Sequence, residues 1–363
     1  MTKKNYIILI VLFLMSFFAL NAEPLLPSWK ILEQAQVQFD SGNYGEALKL
    51  SNSALNTRKS EIAEEYKTLD IALTPAQVRR VGVEFNKVLE VLKEREQKKA
   101  IFIITKYLNL YGETKFKDDV HVMLEWLKNK DSYPEANYLI GKIYNLEGEY
   151  DVALDFYKKS YLEKEYLDIP DVEYDILYSM AFLFKLKNDE ESFEKTLLLI
   201  LSGDKAFNDE LLKSSILRTI NSDKAENVDR LFFLYRATAN NSFKALYELG
   251  NLYENRGDER QALFCSALGS LEAFTHILSI IQERDSHFNY TTYKAFLEEC
   301  SKYEEIVNWG TKNNIWETFF IFTNRSAKQG NILFAKKMYS VLETSIPDDY
   351  YKKLAGKMLL SGE

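Results

Sequence analysis

Three short stretches of this chain share one grammar. Gly42-Asn43-Tyr44 is followed by Ala47, Gly148-Glu149-Tyr150 by Ala153, and Gly257-Asp258-Glu259 by Ala262. The glycines at 42, 148 and 257 stand 106 and 109 residues apart, close to three times the roughly 34-residue period of a helical-hairpin repeat. A glycine supplies the backbone freedom that a tight turn between two helices demands. A small residue soon after it lets the second helix lie close to the first. The recurrence constrains the chain to build by stacking helix-turn-helix units.

The stretch around Gly148 shows the unit best. Pro134-Glu135 opens a helix, as a proline in a first turn does. Tyr138, Ile140, Gly141 and Tyr144 then recur at spacings that put them near one stripe. Gly141 is small where a neighbouring helix must approach, and Ala153 and Tyr157 repeat the small-large alternation on the second helix.

On these residues the sequence resembles the tetratricopeptide repeat (TPR) family, whose pattern runs Leu-Gly-x-x-Tyr, Gly-Asp-Tyr, then Ala, an aromatic, Ala and Pro. Leu249, Gly250, Tyr253, Gly257, Asp258 and Ala262 follow that pattern, with Glu259 where an aromatic is expected. Ala35, Gly42, Tyr44, Ala47 and Ala54 give a first copy, and Gly330, Ala335, Tyr339 and Pro347 a partial one near the end. Fainter matches lie at Ser301, Lys302, Tyr303 and Ile306, and around Phe193. Segments 74–111 and 171–202 read as degenerate copies, and the excess over exact multiples of the period implies lengthened helices or loops. The resemblance implies an all-α fold, a right-handed α-solenoid of stacked antiparallel helix hairpins. It runs continuously over 23–363, with its clearest repeats near 28–60, 134–167, 243–276 and 316–347. An irregular all-helical protein with glycine in its turns is the competing reading.

Composition agrees: 14% aromatic and 46% hydrophobic residues, with only 6 prolines and 14 glycines, leave little strand punctuation and much side-chain volume to pack between helices. No proline- or serine-rich linker divides the chain, so a continuous array fits better than separate beads. The segment 348–360 reads as one amphipathic helix closing the stack.

Residues 1–22 are a different object. Lys3 and Lys4 precede an apolar run over 6–20 broken by Ser16, and Asn21-Ala22 leads into polar chain. This is the layout of a cleavable secretory signal peptide, cut after Ala22. The run is shorter than the roughly 20 residues that span a bilayer comfortably. An uncleaved anchor is the alternative. No cysteine lies near the exit, which excludes lipid attachment of the usual bacterial kind, so the expected location is the periplasm. The formal charge of −8 becomes −10 without Lys3 and Lys4. That balance argues against a nucleic-acid surface. The basic cluster Lys93, Arg95, Lys98 and Lys99 is interleaved with Glu94 and Glu96 and reads as a solvated helix face. The glycosylation-type triplets at Asn240, Asn289 and Asn324 carry meaning only in a eukaryotic secretory host.

Catalytic chemistry leaves little trace. His121, His276 and His287 lack metal-ligand spacing, and neither a phosphate-cradling loop nor a nucleophile elbow is present. The expectation is a non-enzyme without metal or cofactor. Cys265 and Cys300 read as two buried thiols, with a disulfide as the lesser alternative.

What remains is recognition. In the family the chain resembles, the first helices of successive hairpins line a groove that grips an extended peptide or a partner helix. Carried onto this sequence, the groove candidates are Glu135, Tyr138, Lys142 and Asn145, then Lys244, Tyr247, Asn251 and Glu254, with Trp29, Leu32, Gln36 and Phe39 from the first copy. Tyr138 and Tyr247 stand where family members that clamp a C-terminal carboxylate carry lysine, so no such clamp is expected. The function expected is that of a protein-protein interaction scaffold or adaptor in an envelope assembly, such as outer-membrane, cell-wall or periplasmic flagellar-motor machinery. A ligand-binding component that works with a transporter is the alternative.

Overall fold

A computed structural model describes residues 26–74, 83–237 and 242–361, and every regular element in them is helical. The signal-like segment and Asn240 lie outside the described residues. The chain divides into two compact units between Ile176 and Leu177. The first contains α1 (Ser28–Asp40), α2 (Tyr44–Leu73), α3 (Phe85–Glu94), α4 (Lys98–Tyr111), α5 (Val120–Asn129), α6 (Pro134–Leu146) and α7 (Tyr150–Leu162). The division falls within α8 (Val172–Leu186). The second unit continues with α9 (Glu190–Leu201), α10 (Glu210–Asn221), α11 (Asn227–Leu234), α12 (Phe243–Asn255), α13 (Glu259–Arg284), α14 (Tyr293–Cys300), α15 (Glu304–Lys312), α16 (Ile315–Lys328), α17 (Ile332–Ser345) and α18 (Asp349–Ser361).

The glycine grammar is a single turn geometry. At Gly148 φ is +82°, a left-handed conformation that costs glycine nothing, and Gly42, Gly257 and Gly330 lie within a few degrees of it. The amide after each glycine reaches back five residues, Glu149 to the Tyr144 carbonyl at 2.9 Å and Asp258 to that of Tyr253 at 2.9 Å. The glycine amide itself bonds the carbonyl three residues back, from Gly148 to Asn145 at 3.2 Å. This pair of bonds is the Schellman ending, which satisfies the orphan carbonyls of the first helix while reversing the chain.

The same ending closes two helices that lack glycine. Glu96 (φ +53°) joins α3 to α4, with the Gln97 amide on the Leu92 carbonyl at 2.9 Å. Asn188 (φ +54°) joins α8 to α9, with the Asp189 amide on the Phe184 carbonyl at 3.0 Å. Helical turns therefore occupy both segments read as degenerate. The spacing differs from the expected period. Among the described residues the turns fall at 42, 96, 148, 188, 257 and 330, so the near-triple interval between Gly42 and Gly148 shows one further turn of this kind among them, where the period calls for two.

Long second helices account for much of that excess. α2 has 30 residues and α13 has 26, against 13 in α7. Each is the centre of its own unit. α2 packs against α1, α4, α5 and α6, while α13 packs against α10, α12, α14 and α16. α13 is also apolar enough, with a mean hydropathy of 1.5 over an 18-residue window, to cross a membrane, but 78% of that window is buried inside the protein. It is a core helix by its packing. Close helix approach occurs where Gly141 was expected to allow it: a Cβ there would lie 2.6 Å from the Tyr157 ring and 3.2 Å from the Ala153 carbonyl. Cys265 and Cys300 are buried free thiols, on α13 and at the end of α14. The closing helix is α18, which packs on α16 and α17.

Candidate binding groove

In the first unit, four of the sequence candidates meet. α1 and α6, the first helices of two glycine-turn hairpins, pack together. The Lys142 amine donates to Gln36 Oε1 at 3.1 Å and lies over the rings of Phe39 (4.9 Å) and Tyr138 (5.1 Å). Burial pushes that amine's pKa down, against the pull of Asp40 and Asp175. Tyr138 stacks obliquely on Tyr157 at 5.6 Å and donates its hydroxyl to the Asp175 carbonyl at 3.3 Å. Asn145 is half-buried, Leu32 packs partly against Ala54, Tyr133 and Ala136, and Trp29 is exposed.

Glu135 does something else. Its Oε1 accepts the Asp168 and Ile169 amides at 2.5 and 3.2 Å, so it fixes the chain after α7. Burial raises its carboxyl, the Asp168 charge adds to the effect, and the amide bonds oppose it. It belongs to a buried ionic cluster in which Arg58 and Lys130 share Asp168, at 2.5 and 3.5 Å. The Lys130 amine, 1% exposed, also donates to the Tyr111 hydroxyl at 3.0 Å and the Tyr166 carbonyl at 2.8 Å. Burial pushes it down to about 8 despite Asp168.

The second unit holds a groove of about 420 Å³ between α8, α9, α12 and the α15–α16 turn. Ala181, Phe193 and Leu197 are its buried floor, and Tyr178, Phe182, Leu186 and Tyr247 its walls. Three lysines reach it, Lys185, Lys244 and Lys312, and Glu248 is the one acid among its lining residues. Lys185 is paired with Glu248 at 2.6 Å. Burial pushes the Tyr247 phenol up, and the charge of Glu317 adds to this.

Two sequence candidates farther along α12 are already engaged. The Arg325 guanidinium donates to Asn251 Oδ1 at 2.7 Å and to Glu254 Oε2 at 2.8 and 3.0 Å, and Lys328 donates to the other Glu254 oxygen at 2.5 Å. Burial acts to raise the Glu254 carboxyl, but the Lys328 and Arg325 bonds outweigh it and hold the carboxyl below its ordinary value. Gly250 has a packing reason here, because a Cβ would stand 2.7 Å from that guanidinium. Asn251 and Glu254 thus tie α12 to α16, whereas Lys244 and Tyr247 line the groove.

Sequence reasoning missed Phe182, Leu186 and Lys312. α8 is apolar on nearly every side, from Ile176 through Leu186, so periodicity singles out no face. Lys312 reaches the groove from a helix far along the chain, which no local pattern reports. No family model matches the sequence. An uncharacterized protein of Treponema pallidum (strain Nichols) is 27% identical over 338 residues, covering 92% of this chain and 90% of its own length. That alignment is long enough to include most of both units.

Proposed function

We propose that this chain is a non-enzymatic scaffold, a TPR-like right-handed α-solenoid exported to the periplasm, that holds a partner protein on the first helices of its hairpins. The observation that carries the reading is the patch of Gln36, Phe39, Tyr138 and Lys142, contributed by α1 and α6. It combines aromatic anchors with an amide and a cation, the mixture that interface centres use. The recurring glycine turns and the small residues at helix crossings support the repeat reading. The export-type N terminus suits an envelope assembly, such as outer-membrane, cell-wall or periplasmic flagellar-motor machinery. The absence of recognisable catalytic spacing in the sequence supports a binding role.

The test is in-cell photo-crosslinking with probes at Phe39 and Tyr138 and a control probe at Asp155, an exposed position on α7. The first two should capture the same protein and the control should not. Capture at Asp155 alone would sink the assignment of the face. N-terminal sequencing of the fractionated protein should read from Glu23 in the periplasmic fraction. A cytoplasmic, full-length product would overturn the location.

A further inference from the structure

We propose that the groove of the second unit binds a single-chain anionic amphiphile, a fatty-acid-like carboxylate. Its tail lies on Phe182, Leu186, Phe193 and Leu197, and its head meets Lys244 and Lys312. This goes beyond the scaffold reading and does not depend on it.

The apolar part of the argument is exposure. Phe182 is 51% and Leu186 47% exposed, yet both flank a floor of buried Ala181, Phe193 and Leu197. Covering such walls is favourable by about 25 cal/mol per Å² of apolar surface. A concave site of about 420 Å³ with an apolar, aromatic lining and a few polar groups at its margin has the size and composition of a small-molecule site.

Charge says which small molecule. Lys185 is neutralised by Glu248, whereas among the described residues neither Lys244 nor Lys312 has an ion-pair partner. The groove therefore carries a local positive excess within a chain of formal charge −8. An anion in the groove would complement that excess.

The cations are also placed at one end. The Ala245 amide donates to the Tyr178 hydroxyl at 3.3 Å, and Glu248 pairs with Lys185, so α8 and α12 run side by side in the same direction. Lys244 then lies at the Tyr178 end, and the Lys185–Glu248 pair closes the other. Lys244 is in the first turn of α12, whose N-terminus favours negative charge, and the adjacent Phe243 meets Trp309 of α15 at 5.6 Å, which brings the α15 end that carries Lys312 to the same region.

Length favours a carbon chain over a peptide. From Tyr178 to Leu186 the groove follows about two turns of α8, roughly 12 Å at 1.5 Å per residue. An extended peptide would place only about four residues in that length, while an alkyl tail can lie along the Phe182 and Leu186 walls with its one carboxylate at the Lys244 end.

The experiment is calorimetric titration of the full mature chain with decanoate below its micellar range, beside acetate, decyl maltoside and decyltrimethylammonium. Decanoate should bind one to one, and acetate and the cationic amphiphile should not. Lys244→Glu combined with Lys312→Glu should weaken decanoate by about tenfold or more, as should Phe182→Asp. Lys336→Glu, exposed on α17, should leave binding unchanged. All these positions are at least half-exposed or solvent-facing, and an unchanged unfolding midpoint would confirm intact folding. Absence of decanoate binding, equal binding of the cation, or indifference to the lysine variants would each overturn the proposal. So would binding of an acidic apolar peptide without decanoate. Crosslinking at Phe39 and Tyr138 reads the other unit, so failure there leaves this result separate.

Discussion

At Arg58 a guanidinium lies 3.9 Å over the Tyr133 ring and sends two bonds to Asp168, at 2.5 and 3.4 Å. The side chain is almost wholly buried, so its charge has little water and depends on these partners. Removing Arg58 leaves Asp168, which is partly exposed, with Lys130 as its ion-pair partner at 3.5 Å. Arg58→Ala should therefore destabilise the first unit by about 1.5–3 kcal/mol in urea unfolding, through its lost charged hydrogen bonds. Arg58→Lys should recover little of it, because an ammonium cannot reproduce the two-pronged, ring-stacked geometry. A lysine variant as stable as the parent would show that only the charge counts here. The same cluster explains why Glu135 misled sequence reasoning. Its position in the first turn of α6 was legible, but the amides it caps belong to Asp168 and Ile169, 33 and 34 residues on.

At the scale of the element, segments 74–111 and 171–202 were legible as helical, but the position of a turn was legible only where it used glycine. Gly42, Gly148, Gly257 and Gly330 announce their turns, whereas Glu96 adopts the same left-handed backbone with a side chain that carries no signal and Asn188 with one weaker than glycine's. The length of α2 was equally hidden, since its 30 residues have no strong polar-apolar stripe. Strain at the unmarked turns is measurable. A left-handed residue other than glycine costs roughly 1–2 kcal/mol, less for asparagine, so Glu96→Gly should stabilise by about 0.5–1 kcal/mol and Asn188→Gly by less. Gly148→Ala should lose about 1–2 kcal/mol from backbone strain alone, for no atom lies within 4 Å of its Cβ position. Gly141→Ala should lose about 1–3 kcal/mol for the opposite reason, collision with Tyr157. Chemical-denaturation midpoints rank all four. A destabilised Glu96→Gly would contradict the shared-turn reading.

At the scale of the whole molecule, the candidate site was half legible. Tyr247 and Lys244 follow from the hairpin grammar, but the groove is completed by side chains from α8, α9 and α15 that only the fold brings near. Long-range packing also buries acids, and this gives the protein a stability profile that the charge count alone does not. Glu272, in the middle of α13, is 1% exposed and neither of its oxygens meets a donor. Asp204, 2% exposed, also has an unpartnered oxygen, as two ionised acids could not satisfy each other. Burial, with Asp204 adding, pushes the Glu272 carboxyl up to about 11, and Glu135 and Glu163 are raised as well. Each raised acid holds a proton in the folded state that the unfolded chain releases, so its contribution is complete below the unfolded pKa and is lost as pH rises towards the folded one. His276, lowered by burial, acts oppositely only up to its unfolded value of 6.5, and Lys130 only between about 8 and 10.5. Between about pH 6.5 and 8 the acids therefore prevail, and the thermal midpoint should fall across that window. Glu272→Gln keeps the shape without the ionisation. It should raise the midpoint by several degrees, roughly 2–4 °C for each kcal/mol recovered at about pH 8, and the gain should vanish near pH 5. Parallel pH profiles for the two proteins would mean that Glu272 carries its charge in the fold and that some other group sets the slope.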